Sequence, residues 1–361
     1  MRSITRCLTT IILVFCLYGC SPSAHHKTVK QFPQGIYPTT NVQSAVTDTK
    51  PIPEINWQNI RPPFDWWNFF KDVERHYFHF RATGFDMLNA WWLIEASTLV
   101  YSDFDLVKKT FARAGLPVVW FFDAKSTQCF VASNDDFIIV AFRGTETNLG
   151  NKQPNYADIV YDLLTDVRVL LVPYEGGGLV HEGFKQALEE VWLDREIEGQ
   201  RIIGLKSYLD ELSTQKARPV WFTGHSLGAA LATLAAERYG KARGLYTFGS
   251  PRVGNMEFKD HYKLMHYRFV NNDDLCTRVP PEAFSYRHVG NVIFIGSSGR
   301  IGYTPLQMDS SKDPSKNSID DVVKSVEQIK RQSSGTIPSW LLNHIPVLYS
   351  THIWNNYVWS K

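Results

Sequence analysis

Residues 219–234, PVWFTGHSLGAALATL, leave the chain little choice of local structure. Val220, Trp221 and Phe222 are β-branched or aromatic and suit a buried strand. Gly224 and Gly228 then bracket His225, Ser226 and Leu227 as a G-x-S-x-G, and an Ala/Leu-rich helix pattern follows. Strand, sharp turn and helix in that order hold the middle serine on a strained turn with its hydroxyl exposed. Two glycines are needed because so tight a turn has no room for side chains at its ends, and Ala229 and Ala230 let the helix lie close to a sheet. The N-terminus of that helix points at Ser226, where it favours developing negative charge. The pentapeptide alone is a weak signal, and its setting gives it weight. The alternative is a serine that only caps a helix.

The same alternation extends along the chain. Apolar runs at 118–122, 137–142, 219–223, 245–248, 266–270 and 292–295 predict strands. Helical patterns at 86–101, 183–193, 201–212 and 227–239 predict helices among them. Strands alternating with helices imply an α/β fold around a mostly parallel sheet. Aromatic residues crowd 57–80, and the segment 57–92 is either a core layer or a surface that lines an apolar groove or dips into a membrane interface. A polar insert spans 308–337, where Ser318 and Asp321 suit the start of a short helix.

The first twenty residues read as an address. Arg2 and Arg6 precede an apolar stretch from Leu8 to Leu17 that is too short to span a bilayer. Leu17-Tyr18-Gly19-Cys20 resembles a bacterial lipobox, which implies a signal peptide over 1–19, cleavage before Cys20 and diacylglycerol attached to its thiol. Ser21 implies an outer-membrane destination in the cell envelope. Residues 20–55, rich in Ser, Pro, Thr, Gln and Lys, predict a lipidated flexible tether, followed by a single domain over 56–361. With 38 Lys and Arg against 36 Asp and Glu, the chain has no basic field for nucleic acid. Cys129 and Cys276, the cysteines beyond Cys20, are expected as buried free thiols, with a buried pair as the alternative.

A serine hydroxyl needs a general base, and the base needs an acid to orient it. In a strand–turn–helix serine site, the acid and then the histidine follow the serine along the chain. Asp273 and Asp274 stand just past the 266–270 strand, at the sheet edge where ligands bind. His344 and His352 are the two late histidines.

Five ordered blocks support a resemblance to the class 3 lipases, the family of the filamentous-fungal triacylglycerol lipases. They are AFRGT (141–145), VHEGF (180–184), TGHSLGAA (223–230), YTFGSPRVGN (246–255) and VNNDDLCTRVPP (270–281). A sixth, late block departs from the family pattern, with Asn343 in place of an Asp before His344, and Tyr349 beyond. The resemblance implies an α/β-hydrolase fold with a lid, Ser226 as nucleophile, Asp274 as acid and His344 as base. Asp273 is the rival acid, otherwise a solvated turn residue, and His352 is the rival base. The oxyanion donors implied are the backbone N–H groups of Leu227 and Thr145, the latter otherwise a cap. Arg143 is expected to brace its loop. His181, His225 and His288 are expected to pack and hydrogen-bond rather than react. Residues 146–165 correspond to the lid and carry Tyr156, Ile159, Val160, Leu163 and Leu164 at near-helical spacing, while core packing explains that spacing equally well. Asp166 resembles a family structural carboxylate.

The implied activity is hydrolysis of lipid carboxylic esters without metal or cofactor. Phospholipase A1 and soluble-ester carboxylesterase activities are the near alternatives, and a non-catalytic surface lipoprotein is the alternative of another class. The expected partners are the lipid ester and, through Cys20, the membrane.

Overall fold

The computed structural model describes residues 49–60, 62–124, 126–144, 170–302 and 337–361. The strands are β1 (Val118–Ala124), β2 (Thr127–Ser133), β3 (Ile138–Phe142), β4 (Leu171–Pro173), β5 (Leu179–His181), β6 (Arg195–Ile197), β7 (Gln200–Ile202), β8 (Val220–His225), β9 (Gly244–Phe248), β10 (His266–Asn271) and β11 (Asn291–Ile295). The helices are α1 (Met87–Leu99), α2 (Phe104–Arg113), α3 (Glu182–Trp192), α4 (Leu205–Gln215), α5 (Leu227–Tyr239), α6 (Met256–His261), α7 (Ser339–Leu342) and α8 (Pro346–Trp359).

Seven of these strands form one sheet in the order β1-β2-β3-β8-β9-β10-β11. β1, β2 and β3 run antiparallel, and every pairing from β3 to β11 is parallel. Both faces are covered, and the two-residue period of a strand sorts its side chains between two cores. Along β3, Ile138, Val140 and Phe142 join one apolar cluster with α3, α4 and α5. Ile139 and Ala141 join the other with α1 and α8. α1 lies against β8 and α8, so every residue from Leu88 to Leu99 is buried. A helix apolar on nearly all sides is stable only in such a place. The crowded aromatics over 57–80 are mainly a core layer: Phe64, Phe69, Phe70 and Phe78 are buried, and Phe70 and Phe78 meet Trp92. Trp66 and Tyr77 stay exposed.

Three local expectations change. β2 lies in the centre of the antiparallel part, although Thr127, Gln128 and Ser133 hide its apolar pattern. The helix expected over 201–212 begins only at Leu205, because Arg195–Ile202 folds back as the β6–β7 hairpin. Its turn is Glu198-Gly199, both at positive φ, a two-residue turn of the hairpin kind. The tether expected through residue 55 ends earlier. Lys50 N–H donates to Asn355 Oδ1 at 2.7 Å, and Asn355 Nδ2 returns a bond to the Lys50 carbonyl at 2.9 Å. The Lys50 ammonium sits 5.0–5.4 Å from the ring centres of Trp67, Trp91 and Trp354, a cation–π box. The signal segment, Cys20, the tether to residue 48, Thr145, the lid stretch, Asp166 and the insert up to residue 336 lie outside the described residues.

Candidate active site

The parallel strands end together on one edge of the sheet, the edge where α/β folds carry ligands. β8 ends at His225, and Ser226 follows with φ 58° and ψ −130° before α5 begins. A non-glycine residue at positive φ stores roughly 1–3 kcal/mol of strain. The neighbouring glycines make the turn possible. A Cβ on Gly224 would stand 2.2 Å from the Gly228 carbonyl oxygen, and one on Gly228 would stand 2.3 Å from the Phe142 carbonyl oxygen. Ser226 N–H donates to the Phe248 carbonyl at 3.0 Å, which ties the turn to β9.

Ser226 Oγ lies 2.9 Å from His344 Nε2. His344 Nδ1 lies 2.9 and 3.0 Å from the two carboxylate oxygens of Asp274. Asp274 and His344 are fully buried, and Ser226 is 8% exposed. Nδ1 facing a carboxylate carries the ring proton, which leaves Nε2 as the acceptor for the serine hydroxyl. Asp274 is held in turn. Tyr349 Oη donates to its Oδ2 at 2.6 Å, and Cys276 N–H donates to its Oδ1 at 2.9 Å. The Tyr349 oxygen accepts from the Asn271 amide at 2.9 Å. Burial disfavours the imidazolium of His344, but the Asp274 carboxylate outweighs it and holds the ring's pKa above the usual histidine value. The thiol of Cys276 lies 3.8 Å from Ser226 Oγ. Cys276 and Cys129 are free and buried.

The rival residues occupy other places. Asp273 is not the solvated turn residue expected of it. It accepts from Ser339 Oγ at 2.6 Å and from the Asn343 side-chain amide, and so braces the loop that carries His344. An Asp at 343 would face Asp273 with a second negative charge, whereas the amide donates to it. His352 sits in the second turn of α8, where burial lowers its pKa. Among the described residues its ring neighbours Gly299, and no contact brings it to Ser226. Leu227 opens α5, and its N–H is one of the first four that the helix leaves without an internal acceptor. Arg143 donates to Gln128 Oε1 at 2.6 Å and braces its loop as expected. His181 caps α3 and stacks on Phe184, and His288 Nε2 donates to the Thr277 carbonyl at 2.7 Å. Sequence reasoning passed over two residues of the site's surroundings: Tyr101, just past the end of α1, and Gly249, just past the end of β9.

The mainly parallel sheet with a serine on the turn between β8 and α5 defines the α/β-hydrolase class of fold. Within it, residues 139–284, which hold Ser226 and Asp274, match the family model of class 3 lipases. His344 lies beyond the matched residues.

Similar proteins include secreted mono- and diacylglycerol lipase 1 of Fusarium solani, 39% identical over 30% of this chain and 32% of that protein. The lipase of Rhizomucor miehei is 29% identical over 47% of this chain and 45% of that protein. Phospholipase A(1) DAD1 of Arabidopsis thaliana is 32% identical over 43% of this chain and 36% of that protein. Each match spans less than half of the relative's own length. The solved structure of lipase II from Rhizopus niveus superposes with a TM-score of 0.43 at 22% identity, over 58% of this chain and 81% of that one.

Proposed function

We propose that the chain hydrolyses carboxylic esters of lipids through an acyl-enzyme. Ser226 Oγ attacks the ester carbonyl while His344 Nε2 takes its proton. Asp274 holds the ring in the required tautomer and stabilises the imidazolium. The Leu227 amide, together with that of Thr145, receives the oxyanion, each donor lowering the barrier by roughly 3 kcal/mol. His344 then gives the proton to the leaving alcohol. Water repeats the sequence on the acyl-serine and releases the fatty acid. The observation that carries the reading is the line of three side chains, Ser226–His344–Asp274, joined at 2.9 Å on each side.

Acylglycerols are the first substrate class. Diacyl phospholipids belong in the same panel, since one relative is a phospholipase A(1). The reading includes a bacterial envelope lipoprotein held at Cys20, with the outer membrane as its destination. Fatty-acid labelling that Cys20→Ala abolishes would support the anchor, and unchanged labelling would remove it.

The test of the chemistry is labelling with a fluorophosphonate probe and a hydrolysis panel of triacylglycerol, phospholipid and short soluble esters. Wild type should label and hydrolyse at least one class. Ser226→Ala should do neither while remaining folded, and His344→Ala should lose several orders of magnitude in kcat. His352→Ala should stay near wild type. A folded wild type that neither labels nor hydrolyses any ester would leave the non-catalytic lipoprotein reading instead.

A further inference from the structure

A second buried chain of hydrogen bonds runs beside the reacting line, and the hydrolysis steps above leave it unused. His225, the residue before the nucleophile, is fully buried. Its Nε2 lies 2.7 Å from the His344 carbonyl oxygen. A carbonyl oxygen only accepts, so Nε2 carries the proton. Nδ1 is then a bare lone pair, and it faces the Tyr101 hydroxyl at 3.1 Å, which donates to it. With its one proton committed, the Tyr101 oxygen is left to accept, and the Gly144 amide faces it from the loop after β3. That approach is close, since a Cβ on Gly144 would stand 2.0 Å from the Tyr101 oxygen. Three segments distant in sequence therefore meet on one tyrosine–histidine pair: the turn of the nucleophile, the loop of the base, and the loop that leads into Thr145.

We propose that Tyr101 and His225 are positioning residues for the hydrolysis: the Tyr101 hydroxyl, by donating to Nδ1, supports the Nε2–H tautomer that the His344 carbonyl demands, and His225 then holds the His344 backbone so that the imidazole meets Ser226. The inference rests on the triad reading above. The physical point is the choice between two neutral tautomers. With the proton on Nδ1 instead, the Nε2 lone pair would face the carbonyl lone pairs of His344 at 2.7 Å and push the base loop away. A charged His225 would bond the carbonyl equally well, but its ring centre lies 4.6 Å from that of His344, where a second cation would oppose the imidazolium that forms during catalysis. Burial first, and the nearby His344 second, keep His225 neutral.

The experiment is a set of variants assayed on a soluble p-nitrophenyl ester, with thermal unfolding and fluorophosphonate labelling alongside. Tyr101→Phe keeps the ring and removes only the donor. His225→Leu removes the bridge. His225→Gln restores a donor at the reach of Nε2 that has no tautomer to choose. Expected are losses in kcat of roughly ten- to a hundredfold for Tyr101→Phe and His225→Leu, the scale of a small misplacement of a catalytic group, with KM within about threefold. His225→Gln should lose severalfold less than His225→Leu. Adding Tyr101→Phe to His225→Gln should cost less than adding it to wild type, since Gln needs no selection. The positioning role falls if the single variants keep kcat within twofold of wild type. It also falls if Gln is as poor as Leu, or if kcat drops only in step with the folded fraction. Wild type that does not label at Ser226 would overturn the triad reading itself, whereas labelled wild type with indifferent variants would overturn only the inference.

Discussion

Gly249→Ala tests the site by its geometry alone, because it adds one methyl group and alters no titratable side chain. Gly249 follows β9 with φ +59°. Its missing Cβ would stand 2.8 Å from Asp274 Oδ2, 2.9 Å from His344 Nδ1 and 3.0 Å from His344 Cε1. Ordinary contact between such atoms is about 3.5 Å or more, so the acid and the base must each retreat by about half an ångström. The left-handed backbone adds roughly 1–2 kcal/mol for a residue with a Cβ. The variant should therefore lose about 1–3 kcal/mol of stability by these two costs. Its kcat should fall on the order of a hundredfold, as expected of a slightly misplaced base, with KM nearly unchanged. Gly240→Ala is the control. Gly240 also has positive φ, +70°, but the nearest atom to its Cβ would be 4.0 Å away. It should show the loss in stability without the loss in kcat. Urea unfolding and initial rates at saturating soluble ester measure both quantities. A folded Gly249→Ala with kcat within twofold of wild type would refute the claim that the His344–Asp274 contact is closely packed and needed in that register.

Other expectations follow from charge. His344 must be neutral to act as a base, and Asp274 holds its pKa above 6.5, so kcat/KM should fall on acidification with a midpoint above that value. Asp274→Asn removes the anion and leaves burial dominant, so the residual activity should be several orders of magnitude lower and its acid limb should move down in pH. An unmoved limb would show that another group titrates. Asp273→Asn should cost severalfold in kcat through the loop it braces, well short of Asp274→Asn; equal losses would undo the distinction between the two carboxylates. Stability should fall steeply in acid. His225 and His266 are fully buried and His288 is partly buried, and all three have lowered pKa values, that of His266 at about 3. Below pH 6.5 the unfolded chain gains a proton at each of these positions and the fold does not. Their stability is thus present above that pH and lost below it, at about 1.4 kcal/mol per unit for each group. His344 has the opposite sign: its contribution is complete well below 6.5 and is lost as pH rises through its folded pKa, so it offsets a small part of the acid loss near pH 7 and none of it further down. Urea unfolding at pH 7 and 5.5 should differ by about 3 kcal/mol on this basis, and a flat profile would refute it.

The reading of individual elements shows where sequence sufficed. The β8 strand, the Ser226 turn and α5 were legible because each is a local demand: β-branched and aromatic residues for a strand, glycines where neighbouring backbone leaves no space, alanines where a helix lies against a sheet. β1, β3 and β9–β11 were legible as short apolar runs for the same reason. β2 was not, because its polar residues find partners on neighbouring elements: Thr127 Oγ1 donates to the Ala187 carbonyl in α3 at 2.7 Å. The β6–β7 hairpin was missed although Glu198-Gly199 is a turn signal, because the apolar residues beside it also fit a helix. α8 is buried along most of its length, so its apolar residues show no one-sided stripe.

The chain by itself specified the fold class, a candidate nucleophile and a short list of carboxylates and imidazoles, because those depend on residue types and spacings within a few positions. It could not choose within that list. Asp273 and Asp274 are adjacent, and His344 and His352 share one segment, so local pattern treats each pair alike. The choice is made by contacts between Ser226 and His344, 118 positions apart, and between His344 and Asp274, 70 apart. Only the closed sheet edge, the direction of the loop before α8 and the hydroxyl of Tyr349 bring one aspartate and one ring into line with the serine. The other aspartate is left to brace that loop, and the other ring to pack along the helix.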